Sequence, residues 1–264
     1  MKRAGRVYLV GAGPGDPELL TVKGLRLLQR ADLILHDDLV SAEILAVAGP
    51  SAQLENVGKR CGAKKVTQAE INERMIAAAR AGLDVVRLKN GDPAIFGRLA
   101  EEIDALQRAG IPFQIVPGVT ASLAAAASLQ VSLTDRRKSS RVVVISNHQA
   151  HSGAAKAKKT DWTGLVREDV TLVIYMPGHD FADLRAELIE AGMAADFPAV
   201  VVSRASTGGE SRKCTTLGEL DKLPRVESPS VLLIGRALDR ARSGEDGSSV
   251  AAAFDEANLI LSSL

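Results

Sequence analysis

The chain has 264 residues, 46% of them hydrophobic, 25% charged and only 3% aromatic, with a formal net charge of +1. That length supports one large domain or two smaller ones, each with its own core. The charge balance argues against a nucleic-acid partner held by bulk charge, the scarcity of aromatics against base stacking, and the lack of any run near ~20 apolar residues against a membrane span.

In chain order, short β-branched runs alternate with longer amphipathic patterns. Strands are predicted at 6–10, 32–36, 53–57, 84–89 and 113–116, and helices over 19–30, 67–81 and 98–109, where apolar residues such as Ile71, Met75, Ile76 and Ala79 recur at helical spacing. The polar, basic stretch LQVSLTDRRKSSR (129–141) reads as a linker. Beyond it, strands at 141–146, 170–176, 199–203 and 230–234 accompany a helix over 181–191. The alternation predicts an α/β fold with a mostly parallel sheet covered on both faces. Two αβα domains follow, 1–133 and 134–240, with a flexible spacer and tail over 241–264. The segment 147–160 (NHQAHSGAAKAKKT) reads as a mobile surface loop, and SGEDGSS (243–249) as the spacer before a short terminal helix.

Cys61 and Cys214 are far apart and in no CxxC pair, which points to reduced thiols and a cytoplasmic setting. The apolar run near the N-terminus is too short for a signal sequence. His148 and His151 sit in a small, polar loop with no carboxylate or thiol nearby, so no metal is expected. Gly208-Gly209-Glu210 reads as a hairpin turn.

The stretch VYLVGAGPGDPELL (7–20) has the outline of a dinucleotide loop, with a strand, glycines and a helix start. Asp37 and Asp38 stand at a suitable distance to meet a ribose. Against that, Asp16 replaces the third glycine, and Pro14 and Pro17 carry no N–H. Asp16-Pro17-Glu18 also reads as a helix cap. The motif recurs as Gly91-Asp92-Pro93 after the strand VVRLK, and a third strand ends in Pro117-Gly118-Val119-Thr120. Three proline-fixed turns at strand ends suit a ligand that needs close backbone approach and no phosphate, such as S-adenosylmethionine. A nucleotide-linked oxidoreductase remains the rival of different class.

VYLVGAGPGDPELLT, HDDLVS (36–41), VGKR (57–60), QAEIN (68–72), RLKNGDPAIFGR (87–98), IPFQIVPGVTA (111–121) and IYMPG (174–178) occur in that order. Together they resemble the tetrapyrrole methylase family, over about Val7 to Leu238. The resemblance implies two α/β domains with S-adenosylmethionine in the cleft between them, S-adenosylhomocysteine as product, and a homodimer without nucleic acid or membrane partners. VGKR with QxxIN points to the members that methylate uroporphyrinogen III at carbons 2 and 7 to give precorrin-2, with siblings acting on other precorrins as the alternative. By the same resemblance, Pro14, Asn90, Gly91, Asp92, Ile95, Thr120 and Ala121 match donor-binding positions, joined by Met176, Val200 and Ser230 from the second domain. Arg98 and Glu101 match a substrate-cleft pair, Arg136 an arginine after the interdomain segment, and Met176 also faces the substrate. Arg98, Glu101 and Asp92 are the catalytic candidates, with Glu101 or Asp92 as base. Lys59 and Arg60 are further candidate cations for the substrate carboxylates. The chain departs from the family at Asn90, at Leu99-Ala100 and at Asn147, where the family has glycine. The Leu99-Ala100 change is expected to put bulk near the substrate carboxylates. A non-catalytic binding protein is the reading these departures keep open.

Overall fold

A computed structural model describes residues 5–58, 66–147 and 160–241. The expectations for Lys59, Arg60, Cys61, His148, His151 and the tail beyond residue 241 lie outside the described residues. Five strands form the first sheet: β1 (Val7–Gly11), β2 (Leu33–His36), β3 (Gln53–Asn56), β4 (Val85–Lys89) and β5 (Phe113–Val116). Their order is β3-β2-β4-β1-β5, and every pairing is parallel. The connecting helices are α1 (Val22–Leu28), α2 (Ala42–Leu45), α3 (Gln68–Arg80) and α4 (Leu99–Arg108).

Alternation along β1 sorts the two faces. Val7 and Leu9 pack with Ile71, Met75 and Leu106 under α3 and α4, whereas Val10 packs with Leu28 and Ile44 under α1 and α2. Thr67 opens α3 with a capping box, its hydroxyl accepting the Glu70 N–H while the Glu70 carboxylate accepts the Thr67 N–H.

Next comes α5 (Ala121–Ser128), and then β6 (Arg141–Ser146), β7 (Val170–Tyr175), α6 (Ala182–Glu190), β8 (Pro198–Ser203), β9 (Ser211–Thr216) and β10 (Ser230–Ile234). The second sheet has the order β6-β7-β10-β8-β9. Here the parallel expectation fails. Only β6–β7 is parallel, because β8 and β9 form a hairpin around the expected Gly208-Gly209 turn and β10 returns between β7 and β8. One face packs Leu172, Ile174 and Leu232 against Leu184 and Leu188 of α6. The other packs Val173, Val200, Val202, Val231 and Leu233 against Ala124 and Ala125 of α5. The helix that follows the last strand of the first sheet therefore covers the second, and its alanines allow the close approach.

Two glycine substitutions separate contact from conformation. A Cβ at Gly11 would lie 2.6 Å from both the Gly118 N and the Gly91 O, with only backbone in its way. Gly110 ends α4 at φ +68° with nothing near its missing side chain. Gly11→Ala is expected to cost about 3 kcal/mol or more and Gly110→Ala about 1 kcal/mol, measured by urea denaturation.

Candidate functional site at the meeting of the two sheets

Strands β4, β1 and β5 are neighbours and parallel, so the turns that follow them share one edge of the first sheet. Their backbones are tied together. Gly13 N–H donates to Gly91 O at 3.2 Å and Gly91 N–H returns to Gly13 O at 2.8 Å. Ala12 N–H donates to Lys89 O at 2.8 Å. Asp92 bridges the second and third turns, one carboxylate oxygen accepting Ala94 N–H at 2.8 Å and the other Gly118 N–H at 2.9 Å. The amides of Ala12, Gly13, Gly91 and Gly118 are thus already bonded, while Pro14, Pro17, Pro93 and Pro117 have none. A pyrophosphate needs amide donors at a helix N-terminus, and these residues offer it none. Asp16 caps as expected, accepting Glu18 N–H at 2.8 Å ahead of Pro17, but it starts a single 3-10 turn (Pro17–Leu19). The helix itself begins only at Val22, capped by Thr21.

The second sheet meets this edge through Tyr175, the last residue of β7. Its hydroxyl lies 2.6 Å from Thr120 Oγ1, accepts Ser122 N–H at 3.0 Å and is 3.0 Å from Ser122 Oγ, so it grips the first turn of α5. Its ring packs against Phe96 with centroids 5.2 Å apart, tilted by 57°. In the β8–β9 turn, the Thr207 methyl occupies the space where a Gly15 side chain would go, and Ser41 donates to Gly15 O at 2.8 Å.

The structure therefore brings together Pro14, Asn90, Gly91, Asp92, Ile95, Thr120 and Ala121. Met176, 46% exposed and at φ +49°, follows Tyr175 directly, and Ser230 pairs with Ser203 at the same edge of the second sheet. Val200 is different: it has no exposed surface and packs beneath α5. Arg136 is not brought to the cluster. It is exposed in the turn closed by Asp135 and Ser139, and Ser139 Oγ lies 2.7 Å from Thr171 Oγ1 at the opposite end of β7. Arg137 and Lys138 pair with Asp135 and Asp239.

Arg98 stands before α4 in the left-handed region at φ +56°, its guanidinium bonding both Glu101 oxygens at 2.7 Å. That bond raises the Arg98 pKa. Leu99 packs toward the core beside Ile103, so the bulk expected near the substrate carboxylates turns inward.

One group was not anticipated from the sequence. Beneath the Arg98 turn, Lys89 Nζ donates to Glu102 at 2.8 Å and Arg87 Nε to its other oxygen at 3.0 Å, while Arg87 also pairs with Asp37. Lys89, Arg87 and Glu102 are at most 3% exposed. Burial, together with the Arg87 charge, lowers the Lys89 pKa against the pull of Glu102. The signal was present in VVRLK, where Arg87 and Lys89, two apart, share one face of a strand.

A family model described as Tetrapyrrole (Corrin/Porphyrin) Methylases matches residues 6–221. A uroporphyrinogen-III C-methyltransferase of Paracoccus denitrificans is 45% identical over 216 residues, covering 82% of this chain and 74% of that protein. Siroheme synthase 1 of Yersinia enterocolitica is 43% identical over 239 residues, 90% of this chain, and the chain spans only 50% of that protein's length. Among solved structures, a uroporphyrin-III C-methyltransferase of Thermus thermophilus complexed with S-adenyl homocysteine superposes with a TM-score of 0.76 at 37% identity, covering 89% of this chain and 99% of that one. A cobalt precorrin-4 methyltransferase gives 0.77 at 33%, covering 89% and 96%.

The Tyr175 hydroxyl links the two sheets and can be tested apart from any ligand. Tyr175→Phe keeps the ring on Phe96 but leaves the buried Ser122 N–H without its acceptor. The expected loss is about 1–3 kcal/mol in urea denaturation, with the denaturant slope unchanged.

Proposed function

The chain belongs to the tetrapyrrole (corrin/porphyrin) methylases, and on that premise we propose that its strand-end cluster serves an S-adenosylmethionine-dependent C-methyltransferase converting uroporphyrinogen III to precorrin-2. The observation that carries the reading is that the Ala12, Gly13, Gly91 and Gly118 amides at the turns after β1, β4 and β5 are already bonded within the protein, while four prolines there carry none. Such an edge suits an adenosyl compound without phosphate. The residues fit: at Gly91, in the left-handed region at φ +66°, a side chain would fill the gap up to Thr120, whose Cα would lie 3.8 Å from its Cβ, so glycine keeps that gap clear beside the start of α5. Pro14, Asn90, Gly91, Asp92, Ile95, Thr120, Ala121, Met176 and Ser230 would hold the donor, and Val200 would support them from beneath α5. When bound, S-adenosylmethionine supplies an electrophilic methyl group on a sulfonium.

The rest falls to the chain's own residues. A pyrrole carbon of a reduced tetrapyrrole is electron-rich, so no strong nucleophile has to be built. The site must hold the acceptor carbon in line at about 3 Å, an arrangement that can supply roughly 7–11 kcal/mol of the barrier. Asp92 keeps the turns together with both its oxygens, which leaves Glu101 as the better candidate to take the proton lost from the methylated carbon. Arg98 would exchange Glu101 for a substrate carboxylate in bidentate geometry. Arg136, which has no ion-pair partner among the described residues, would meet an outlying carboxylate of the same large polyanion. Met176, exposed at the end of β7, would face both ligands. The same reading carries a cytoplasmic homodimer. No helix among the described residues is long and apolar enough to cross a membrane.

Calorimetry is expected to show binding of S-adenosylhomocysteine and none of NAD, and uroporphyrinogen III to turn over to a dimethylated product. NAD binding with the homocysteine compound refused overturns the proposal. Arg98→Ala and Arg136→Ala should each raise KM for the tetrapyrrole by about tenfold, the loss of a charge-assisted hydrogen bond, with donor affinity unchanged. Glu101→Gln should lower kcat about 100-fold and spare donor affinity. A proportional loss of donor binding removes Glu101 from the proton-accepting role.

A further inference from the structure

The charges under the Arg98 turn are more than a core feature. Lys89, Arg87 and Glu102 take two cations and a carboxylate out of water, an arrangement that apolar residues of similar volume commonly match or better in stability. Stability alone therefore does not explain them. Their geometry gives another reason, because both ends of the cluster reach the ligand edge.

At one end, Arg87 donates to the Leu35 and Leu88 carbonyls and pairs with Asp37, whose side chain is 31% exposed just past β2. At the other, Glu102 lies in the first turn of α4, next to the Glu101 that holds Arg98. The segment between them rests on the cluster. A Cβ at Gly97 would come within 3.1 Å of Lys89 Cε and 2.7 Å of Pro93 O, so the turn leading to Arg98 sits directly on the lysine stem. From α3, Gln68 Nε2 donates to Glu102 at 3.3 Å and to Asn72 Oδ1 at 3.1 Å, and Asn72 Nδ2 donates to Glu101 O at 3.4 Å. The QAEIN segment is thus a clamp on the start of α4.

We propose that Lys89, Arg87 and Glu102, with the Gln68–Asn72 clamp, are positioning residues for the tetrapyrrole side of the site, fixing Asp37 and the Arg98–Glu101 pair in one geometry while leaving the donor side untouched. The proposal rests on the reading of Arg98 and Glu101 as the pair that meets the tetrapyrrole. The donor-side ties run through Gly13, Gly91, Asp92 and Gly118 and share no hydrogen bond with the cluster except Ala12 N–H to the Lys89 carbonyl, which a side-chain substitution leaves in place.

The test uses Glu102→Gln, Asn72→Ala and Gln68→Ala, each alone and combined with Arg98→Ala, with kcat and KM measured for uroporphyrinogen III and affinity for S-adenosylhomocysteine. A displacement of about 1 Å costs on the order of 100-fold in rate. Glu102→Gln is therefore expected to lower tetrapyrrole kcat/KM about 100-fold, and the clamp variants about tenfold, with S-adenosylhomocysteine affinity within about twofold. In the Arg98→Ala background the clamp variants should add little, because the Arg98–Glu101 pair that they position is already broken. Removing one buried charge endangers folding, so the clamp variants carry the test if Glu102→Gln yields no folded protein. Clamp variants with unchanged tetrapyrrole kcat/KM, losses that add in full to Arg98→Ala, or a matching loss of S-adenosylhomocysteine affinity each overturn the proposal. If Arg98→Ala by itself leaves tetrapyrrole kinetics unchanged, the reading of the pair has failed and the positioning role falls with it.

Discussion

The exchange of hydrogen bonds between Gly13 and Gly91 is the constraint on which the rest depends. It joins the turns after two neighbouring parallel strands by an isolated antiparallel bridge, the two chains having turned against each other beyond β1 and β4. Gly11 and Gly118 then bring the third turn so near that no Cβ fits between the backbones. Asp92 locks that approach from its own side chain. Sheet edges with parallel strands ordinarily present free N–H groups to a ligand. Here those of Ala12, Gly13, Gly91 and Gly118 are bonded within the turns, and four prolines among them carry none. What is left is a glycine-lined edge whose outline, but not whose hydrogen bonding, is that of a dinucleotide loop.

The second sheet meets that edge because α5 changes sheets. Its first turn lies at Thr120, within reach of the β4 turn, and its alanines lie on the second sheet. The Tyr175 hydroxyl closes the arrangement by bonding the start of the helix that covers its own sheet. Small residues in α5 are needed on both counts. They allow the helix to sit close to Val200 and Leu233, and they keep its N-terminal end near the turns of the first sheet.

The elements legible in the sequence were those with strong local chemistry. The helix from Thr67, the Asp16-Pro17 turn and the Gly208-Gly209 hairpin turn all stand where the sequence placed them. Three elements were not legible, each for its own reason. The α5 segment ASLAAAAS has almost no apolar stripe, because it packs on one side of a sheet through alanine alone. The four residues of α2 are too few for a period. Strand β9 is a polar edge, SRKCTT, and without it the antiparallel return of β10 cannot be foreseen. For the site, the turn residues could be named in advance because proline and glycine report backbone geometry. Val200 and Arg136 came only from resemblance, and the structure sets one under α5 and the other at the far end of β7. Lys89, Arg87 and Glu102 went unnoticed because a charge in a sequence reads as surface until its partners are seen.

Backbone strain marks the same region independently of resemblance. Among the described residues six non-glycine positions have positive φ: Phe96, Arg98, Gln130, Met176, Arg204 and Ser206. Apart from Gln130, which follows α5, all stand where the two sheets meet. Phe96 and Arg98 flank the turn over Lys89, Met176 follows Tyr175, and Arg204 and Ser206 shape the turn that brings Thr207 to Gly15. Such conformations cost of order 1–3 kcal/mol each and persist only where the surroundings over-determine them. Three of them are visibly held: the Phe96 ring packs at a tilt against Tyr175, Arg98 is bound through both Glu101 oxygens, and the Ser206 amide is held by Glu210. A fold that needed only to pack its two sheets would relax these positions with glycine. Keeping an arginine, a methionine and a phenylalanine in that backbone geometry places three large side chains at one opening, 46%, 46% and 45% exposed respectively. Phe96 also ties the sheets together through Tyr175, so the strained turn serves the contact between them as well as the exposed face beside it.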